Sequence, residues 1–193
     1  MKPYVTKKYL ELLRKSAQEK VLEVLFRYPE KEFSLSDLAK EARVAKPHIG
    51  KILQELVQIE FITITKLTKI WRIKANQQNW NFLRSKIVYN LRFIYQSGIV
   101  EYLNGYFGIP KGIILFGSFR NGEDLSTSDI DIAIETDSVA EYETRGLREL
   151  VDFEKLIGRK IQIHLFNRKS VDLHVFNNIA NGIILSGYLE VRP

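Results

Sequence analysis

Residues 113–135, IILFGSFRNGEDLSTSDIDIAIE, hold the side chains of this chain best suited to a phosphorylated ligand. In a strand, alternation puts Asp129 and Asp131 on one face while Ile130, Ile132 and Ile134 pack behind. Two carboxylates so placed repel each other unless a cation sits between them. Mg2+ suits such a pair, since it takes one or two carboxylates together with waters and phosphate oxygens. Gly117-Ser118, separated from Asp129 by ten residues, supplies the complementary half. A glycine after a strand lets backbone approach an anion, and the N–H groups opening the next turn point at it. The Ser118 hydroxyl adds a donor, and Arg120 and Asn121 lie within reach as further phosphate ligands. Amides on the phosphates and aspartates on a bridging metal together hold a nucleoside triphosphate. Mg2+ (or Mn2+) is the expected ion and ATP the expected nucleotide.

A GS pair, ten intervening residues and DxD on a strand resemble the signature of nucleotidyltransferases of the DNA polymerase beta superfamily. The similarity is to small, minimal prokaryotic members and covers about residues 98–190. It includes Gly122 in GSFRNGE, Ser128 just before the aspartates, and NGIILSGYLEV near the end. The resemblance implies transfer of a nucleotidyl group from a nucleoside triphosphate to a hydroxyl, assisted by two metal ions. It also implies a third carboxylate on the following strand, binding the catalytic metal and drawing the proton from the attacking hydroxyl. That strand here is GRKIQIHLF, in which Lys160, Gln162 and His164 share one face. Gln162 stands where the acid is expected; an amide offers an oxygen but neither charge nor a proton acceptor. His164 is the nearby candidate base. The expected catalytic set is therefore Asp129 and Asp131 with Gln162 or His164 in the third place. Gly117, Ser118, Arg120, Asn121 and Ser128 are the expected nucleotide ligands, and Asp129 and Asp131 the metal ligands.

These residues need a scaffold, and the rear of the chain reads as α/β. Strands are predicted over 112–116 and 129–135 and in KIQIHLF, helices over about 142–157 and 170–182. GIILSGYLEV extends the last helix or forms a closing strand. The front of the chain reads differently. A short helix is expected over residues 1–15, then a helix opened by the capping box Ser16–Glu19, then one capped by Ser34 and Asp37. AKPHIGKILQELVQIEF gives the next helix, with Pro47 near its start and Ile49, Ile52, Leu53 and Leu56 as its buried stripe. FITITK and KIWRIK then read as a hairpin. Helices followed by a hairpin give a winged helix-turn-helix, and SLSDLAKEARVAKPHIGKILQEL resembles the helix-turn-helix of prokaryotic transcriptional regulators. The fold class is α+β: a winged helix over 1–76, a helical linker over 77–108 broken at Ser97-Gly98, and a nucleotidyltransferase-like domain with a mixed sheet over 109–193.

Charge separates the two halves. The formal charge is +7 over residues 1–80 and −1 over 81–193, for a net +6 over 193 residues. Residues 61–100 contain no acid, whereas 121–143 contain eight acids and no base. A basic front suggests a polyanionic partner, and an acidic stretch suggests cations. In a winged helix the third helix enters the major groove and the wing touches the adjoining backbone. Arg43, Lys46, His48, Lys51, Lys66, Lys69 and Arg72 are the expected DNA contacts, mostly to phosphate. Cysteine is absent, which excludes disulfides and thiolate metal sites. No apolar run approaches the roughly 20 residues of a membrane span, and the N-terminus lacks a signal-peptide core, so a cytoplasmic protein without a membrane partner is expected. Three functions fit: a Mg-dependent transferase with a DNA-binding winged helix, a catalytically impaired nucleotide-binding regulator, or an antitoxin-like component with a small helical protein partner. A homodimer is expected by analogy with regulators that read paired half-sites.

Overall fold

The computed structural model describes residues 15–190 apart from 68 and 69. The helix expected over residues 1–15 lies outside these, except for Lys15, and so does the predicted wing contact Lys69. Among the described residues, no helix is long and apolar enough to cross a membrane. The chain divides into two compact units, one ending at Tyr89 and the other beginning at Asn90.

The front unit opens with α1 (Ala17–Arg27), α2 (Leu35–Glu41) and α3 (Lys46–Gln58). Ser16 and Glu19 form the reciprocal capping box on α1, and the Ser34 hydroxyl accepts the Asp37 N–H on α2, so both predicted starts hold. The α2–α3 turn depends on Arg43, whose φ of 52° places a side chain in the left-handed region. The buried stripe of α3 is Ile49, Ile52, Leu53 and Leu56, as the spacing requires. β1 (Ile62–Leu67) pairs antiparallel with β2 (Ile70–Ala75), making the wing. Phe33 adds a bridge, exchanging both backbone hydrogen bonds with Ile73 at 2.9 Å. The core gathers Leu25, Phe26, Leu38, Leu53, Leu56 and Ile73, with Phe82 from α4 (Trp80–Ser97) closing it. Three helices and a hairpin around one core make this unit a winged helix-turn-helix.

The rear unit begins inside α4, where a linker boundary is expected near residues 76 and 108 from sequence. Gly98, at φ 76°, ends α4 and starts α5 (Ile99–Tyr106). Then come β3 (Gly112–Phe116), the one-turn helix α6 (Gly117–Asn121), β4 (Ile130–Glu135) and β5 (Glu143–Arg145). A 3-10 turn at Arg148–Leu150 leads into α7 (Val151–Ile157), followed by β6 (Ile161–Phe166), α8 (Leu173–Ala180) and β7 (Ile183–Gly187). The sheet runs β5-β6-β4-β3-β7; β4 and β6 are parallel and the other neighbours antiparallel, giving the expected mixed sheet. One expectation changes, and one of two alternatives is selected. The helix predicted over 142–157 yields a strand at 143–145, because the open edge of β6 offers backbone partners there (Glu143 to Leu165, Arg145 to Ile163). The chain end forms the closing strand β7.

Alternation sorts the sheet into two faces. Ile113, Leu115, Ile130, Ile132, Ile134, Ile161, Ile163 and Leu165 pack with Ile94, Leu103 and Phe119 in the larger core. Ile114, Ala133 and Phe166 face the other way and pack against Ile179 of α8. Asp131, Gln162 and His164 belong to that second face by register.

Candidate functional site

The end of β3, the start of β4 and the start of β6 converge on one point. Phe116, last residue of β3, pairs with Asp131, and Asp131 in turn pairs with Gln162 of β6. Gly117 follows Phe116 at φ 73°, where a side chain is disfavoured. A Cβ on Gly117 would run into Oδ2 of Asp131. The turn expected to face phosphate and the carboxylate expected to hold a metal therefore touch. Ser118 opens α6 on the same turn, partly accessible.

Asp129 and Asp131 are both partly accessible on the same face. Each carboxylate takes one N–H from β6: Gln162 donates Nε2–H to Asp129 Oδ2 at 2.5 Å, and His164 Nε2 lies 3.1 Å from Asp131 Oδ1. His164 is buried, 7% exposed. Its other nitrogen, Nδ1, sits 2.5 Å from the Tyr142 hydroxyl and 3.3 Å from Thr144 Oγ1. The Tyr142 ring stacks on the imidazole at 5.8 Å, and Phe116 meets it edge-on at 4.9 Å. A carboxylate only accepts, so Asp131 takes the Nε2–H, and in the neutral imidazole Nδ1 then accepts the Tyr142 hydroxyl proton. Both ring nitrogens are thus engaged. Gln162, an amide, completes a set in which two carboxylates are present and a third is not. Among the described residues, no group of three or more His, Asp, Glu or Cys side chains gathers where a metal could sit. Asp129 and Asp131, with the cradle at Gly117, fit one hard cation that is also bound by phosphate oxygens. Nothing in the donor set offers a carboxylate for a second ion.

Other predicted ligands are placed more plainly. The Ser128 hydroxyl accepts the Leu125 N–H at 2.9 Å and holds the turn just before Asp129. Arg120 donates Nη1–H to the Asn121 side-chain oxygen at 2.7 Å, so the two side chains orient each other beside the turn. The loop between α6 and β4 is anchored by Asp124, which the sequence placed in an acidic stretch. Its carboxylate is buried, accepting from Asn90 at 2.9 Å and pairing with Arg159 at 3.4 Å; Arg159 also donates to the Ser126 carbonyl at 2.7 Å. The stretch does not form one cation-attracting face, because several of its acids have partners of their own. Asp137 pairs with Lys111 at 2.9 Å, Glu135 with Arg168 at 3.2 Å and Glu143 with Arg145 at 2.6 Å. The Lys111 hydrogen bond holds the Asp137 carboxyl below its usual range and, in return, raises the lysine.

A cavity of about 520 Å³ opens beside Asp129, lined by Ser126, Thr127, Ser128, Lys155 and Lys160. A larger one, about 740 Å³, is lined by Lys111, Glu135, Arg168 and Phe176, away from the aspartates. In it Lys111 pairs with Asp137, and Arg168 with Glu135 and, at 2.7 Å, with Glu190.

In the front unit, Lys46, His48 and Lys51 are exposed on α3, opposite its buried stripe, and Arg43 is exposed in the preceding turn. Lys66 and Arg72 are exposed on the wing; the Lys66 ammonium lies 4.8 Å from the Trp71 ring centre, and Arg72 is 3.8 Å from Glu32. The basic residues of α3 and the wing face solvent as the sequence predicts.

Residues 97–185, the part of the chain that carries the GS–DxD geometry, match the family model described as nucleotidyltransferase domain. Over 67 residues the chain is 40% identical to "Putative protein adenylyltransferase MJ1379" of Methanocaldococcus jannaschii. That alignment spans 32% of this chain and 60% of the relative's length. Among solved structures, similar chains include MepR, a transcription regulator of the Staphylococcus aureus multidrug efflux pump MepA (13% identity, TM-score 0.35, 52% of this chain and 70% of that one). Another is the adhesin competence repressor AdcR of Streptococcus pyogenes (16% identity, TM-score 0.35, 52% of this chain and 72% of that one).

Proposed function

We propose that the rear unit binds a nucleoside triphosphate, ATP in the first instance, with Mg2+ at Gly117–Ser118 and Asp129–Asp131, and transfers its nucleotidyl group to a hydroxyl acceptor. The front unit binds DNA through α3 and the wing. The contact between the Gly117 turn and the Asp131 carboxylate carries the nucleotide half of this reading, because it puts an anion-binding turn and a metal-binding pair at one point. Bound there, the ion would neutralise phosphate charge and polarise the reacting phosphoryl group. The chain's own residues do the rest. Backbone N–H groups of the Gly117 turn and the Ser118 hydroxyl hold phosphate oxygens. Arg120 adds a cation beside them, and the cavity by Asp129 admits the acceptor.

Gln162 favours a second reading, a nucleotide-binding regulator with little turnover. It cannot take the acceptor's proton, and His164 is occupied on both nitrogens. Labelled ATP, CTP, GTP and UTP with Mg2+ or Mn2+ separate the two. Transfer or pyrophosphate release, abolished in the Asp129→Ala/Asp131→Ala double variant, supports the transferase. Metal-dependent ATP binding with no transfer to nucleic acid or protein hydroxyls supports the regulator. Absence of both nucleotide binding and transfer refutes the nucleotide site itself.

A further inference from the structure

We infer that Tyr142 is a positioning residue for the metal-binding carboxylate Asp131, acting through His164. This rests on the nucleotide–metal reading of the Asp129–Asp131 pair and adds a residue that the motif does not contain. Tyr142 follows β4 by a loop of its own and reaches the second face of the sheet from outside it. That loop is fixed: Ser170 donates its hydroxyl to the Ala140 carbonyl at 2.6 Å, and Asn167 donates Nδ2–H to the Val139 carbonyl at 3.4 Å. From there the Tyr142 hydroxyl meets His164 Nδ1 and its ring stacks on the imidazole. With Phe116 against the ring edge and the residue nine-tenths buried, the imidazole has one orientation, and the Tyr142 hydroxyl supports at Nδ1 the tautomer that Asp131 selects at Nε2. The consequence appears on Asp131. Its Oδ1 is held by the His164 Nε2–H, and its other oxygen, Oδ2, is the one facing Gly117. The chain Tyr142–His164–Asp131 thus aims a carboxylate oxygen at the phosphate-binding turn. A partner one bond behind a metal ligand, as His164 is, typically matters by about 10–100-fold in metal affinity, and Tyr142 acts one bond further back.

Thr144 Oγ1 also lies near Nδ1, at 3.3 Å, and can replace the lost donor, so the test removes both hydroxyls. In Tyr142→Phe/Thr144→Val the ring remains to stack, which preserves packing; thermal melts check this. Nitrogen-15 NMR of His164 in the metal-free protein should show the Nε2–H tautomer in the wild type, and in the double variant an Nδ1 resonance shifted by loss of its hydrogen bond. Mn2+ titration should show an affinity loss of up to about 10-fold, the lower end of that range, with Tyr142→Phe alone in between. A wild-type Nδ1–H tautomer, or an unchanged Nδ1 resonance together with Mn2+ affinity within twofold in the double variant, would overturn the inference. If the double variant does not fold, Tyr142→Phe/Thr144→Ala replaces it, with the same two measurements and criteria. Wild-type protein that binds no Mn2+ would refute the metal reading instead, and the Nδ1 resonance would still decide what Tyr142 does to His164.

Discussion

Substituting Gly117 by alanine tests the central claim, that phosphate and metal halves of the site are in contact. Two costs follow from the geometry. Gly117 sits at φ 73°, where an L-residue pays about 1–2 kcal/mol. The new methyl group would also run into Asp131 Oδ2, so the carboxylate must turn, giving up its bond from His164. A hydrogen bond to a charged group contributes about 1.5–3 kcal/mol. Together these amount to about 2.5–5 kcal/mol, which for a chain of this length lowers the melting midpoint by roughly 5–20 °C. The displaced carboxylate should weaken Mn2+ and MgATP binding by about 100-fold, the equivalent of about 2.7 kcal/mol. Gly105→Ala is the control, since a Cβ there meets nothing within 4 Å and the residue lies in α5. It should leave binding intact and hold or raise the midpoint, as alanine exceeds glycine in helix propensity by up to about 1 kcal/mol. Calorimetric titration and thermal melts report both quantities. A folded Gly117→Ala protein that binds MgATP within threefold of wild type would refute the reasoning.

Gln162→Asp restores a carboxylate at the third position and should raise pyrophosphate release by about 100-fold or more if proton removal limits turnover. The same variant sets a second carboxylate facing Asp129, so it should melt below wild type without metal and recover when Mg2+ is added. Asp124→Ala leaves the buried Arg159 guanidinium without this carboxylate and should cost about 3–5 kcal/mol in denaturant titration. Lys46→Ala and Lys51→Ala should each lower the slope of log affinity against log salt by about 0.9 on duplex DNA; an unchanged slope would exclude groove docking by α3. The Lys111 hydrogen bond depresses the Asp137 pKa, so any stabilisation from that pair is present at neutral pH and lost as pH falls through the carboxylate range. Both side chains are exposed, and Asp137→Asn should therefore leave the midpoint unresolved from wild type at pH 7 and at pH 4.

Period and capping made the front unit legible. The stripe Ile49–Ile52–Leu53–Leu56 and the serine caps at 16 and 34 act locally, so sequence neighbours suffice to read them. Alternation likewise read β4 and β6, and with them which acids share a face. Contacts between distant segments were hidden. Tyr142 and His164 meet only because β5 adds to the β6 edge, and EYETRGLREL is rich enough in helix formers to suggest a helix instead. Asp124 looked like one acid among eight; its burial depends on Asn90 and Arg159, 34 and 35 residues away. Phe33 carries no strand signal of its own, yet it completes the wing through Ile73.

Ala133 gives the site a tuning point that is not itself polar. It is fully buried on the same face as Asp131 and pairs in register with His164 on β6. Its single methyl group packs with Ile114, Phe166 and Ile179 and takes little room beside the imidazole in register with it. A β-branched residue in its place would crowd the imidazole and redirect the Asp131 carboxylate, with every polar residue of the site unchanged. The volume of one alanine, no less than the identity of the acids, decides where the charge points.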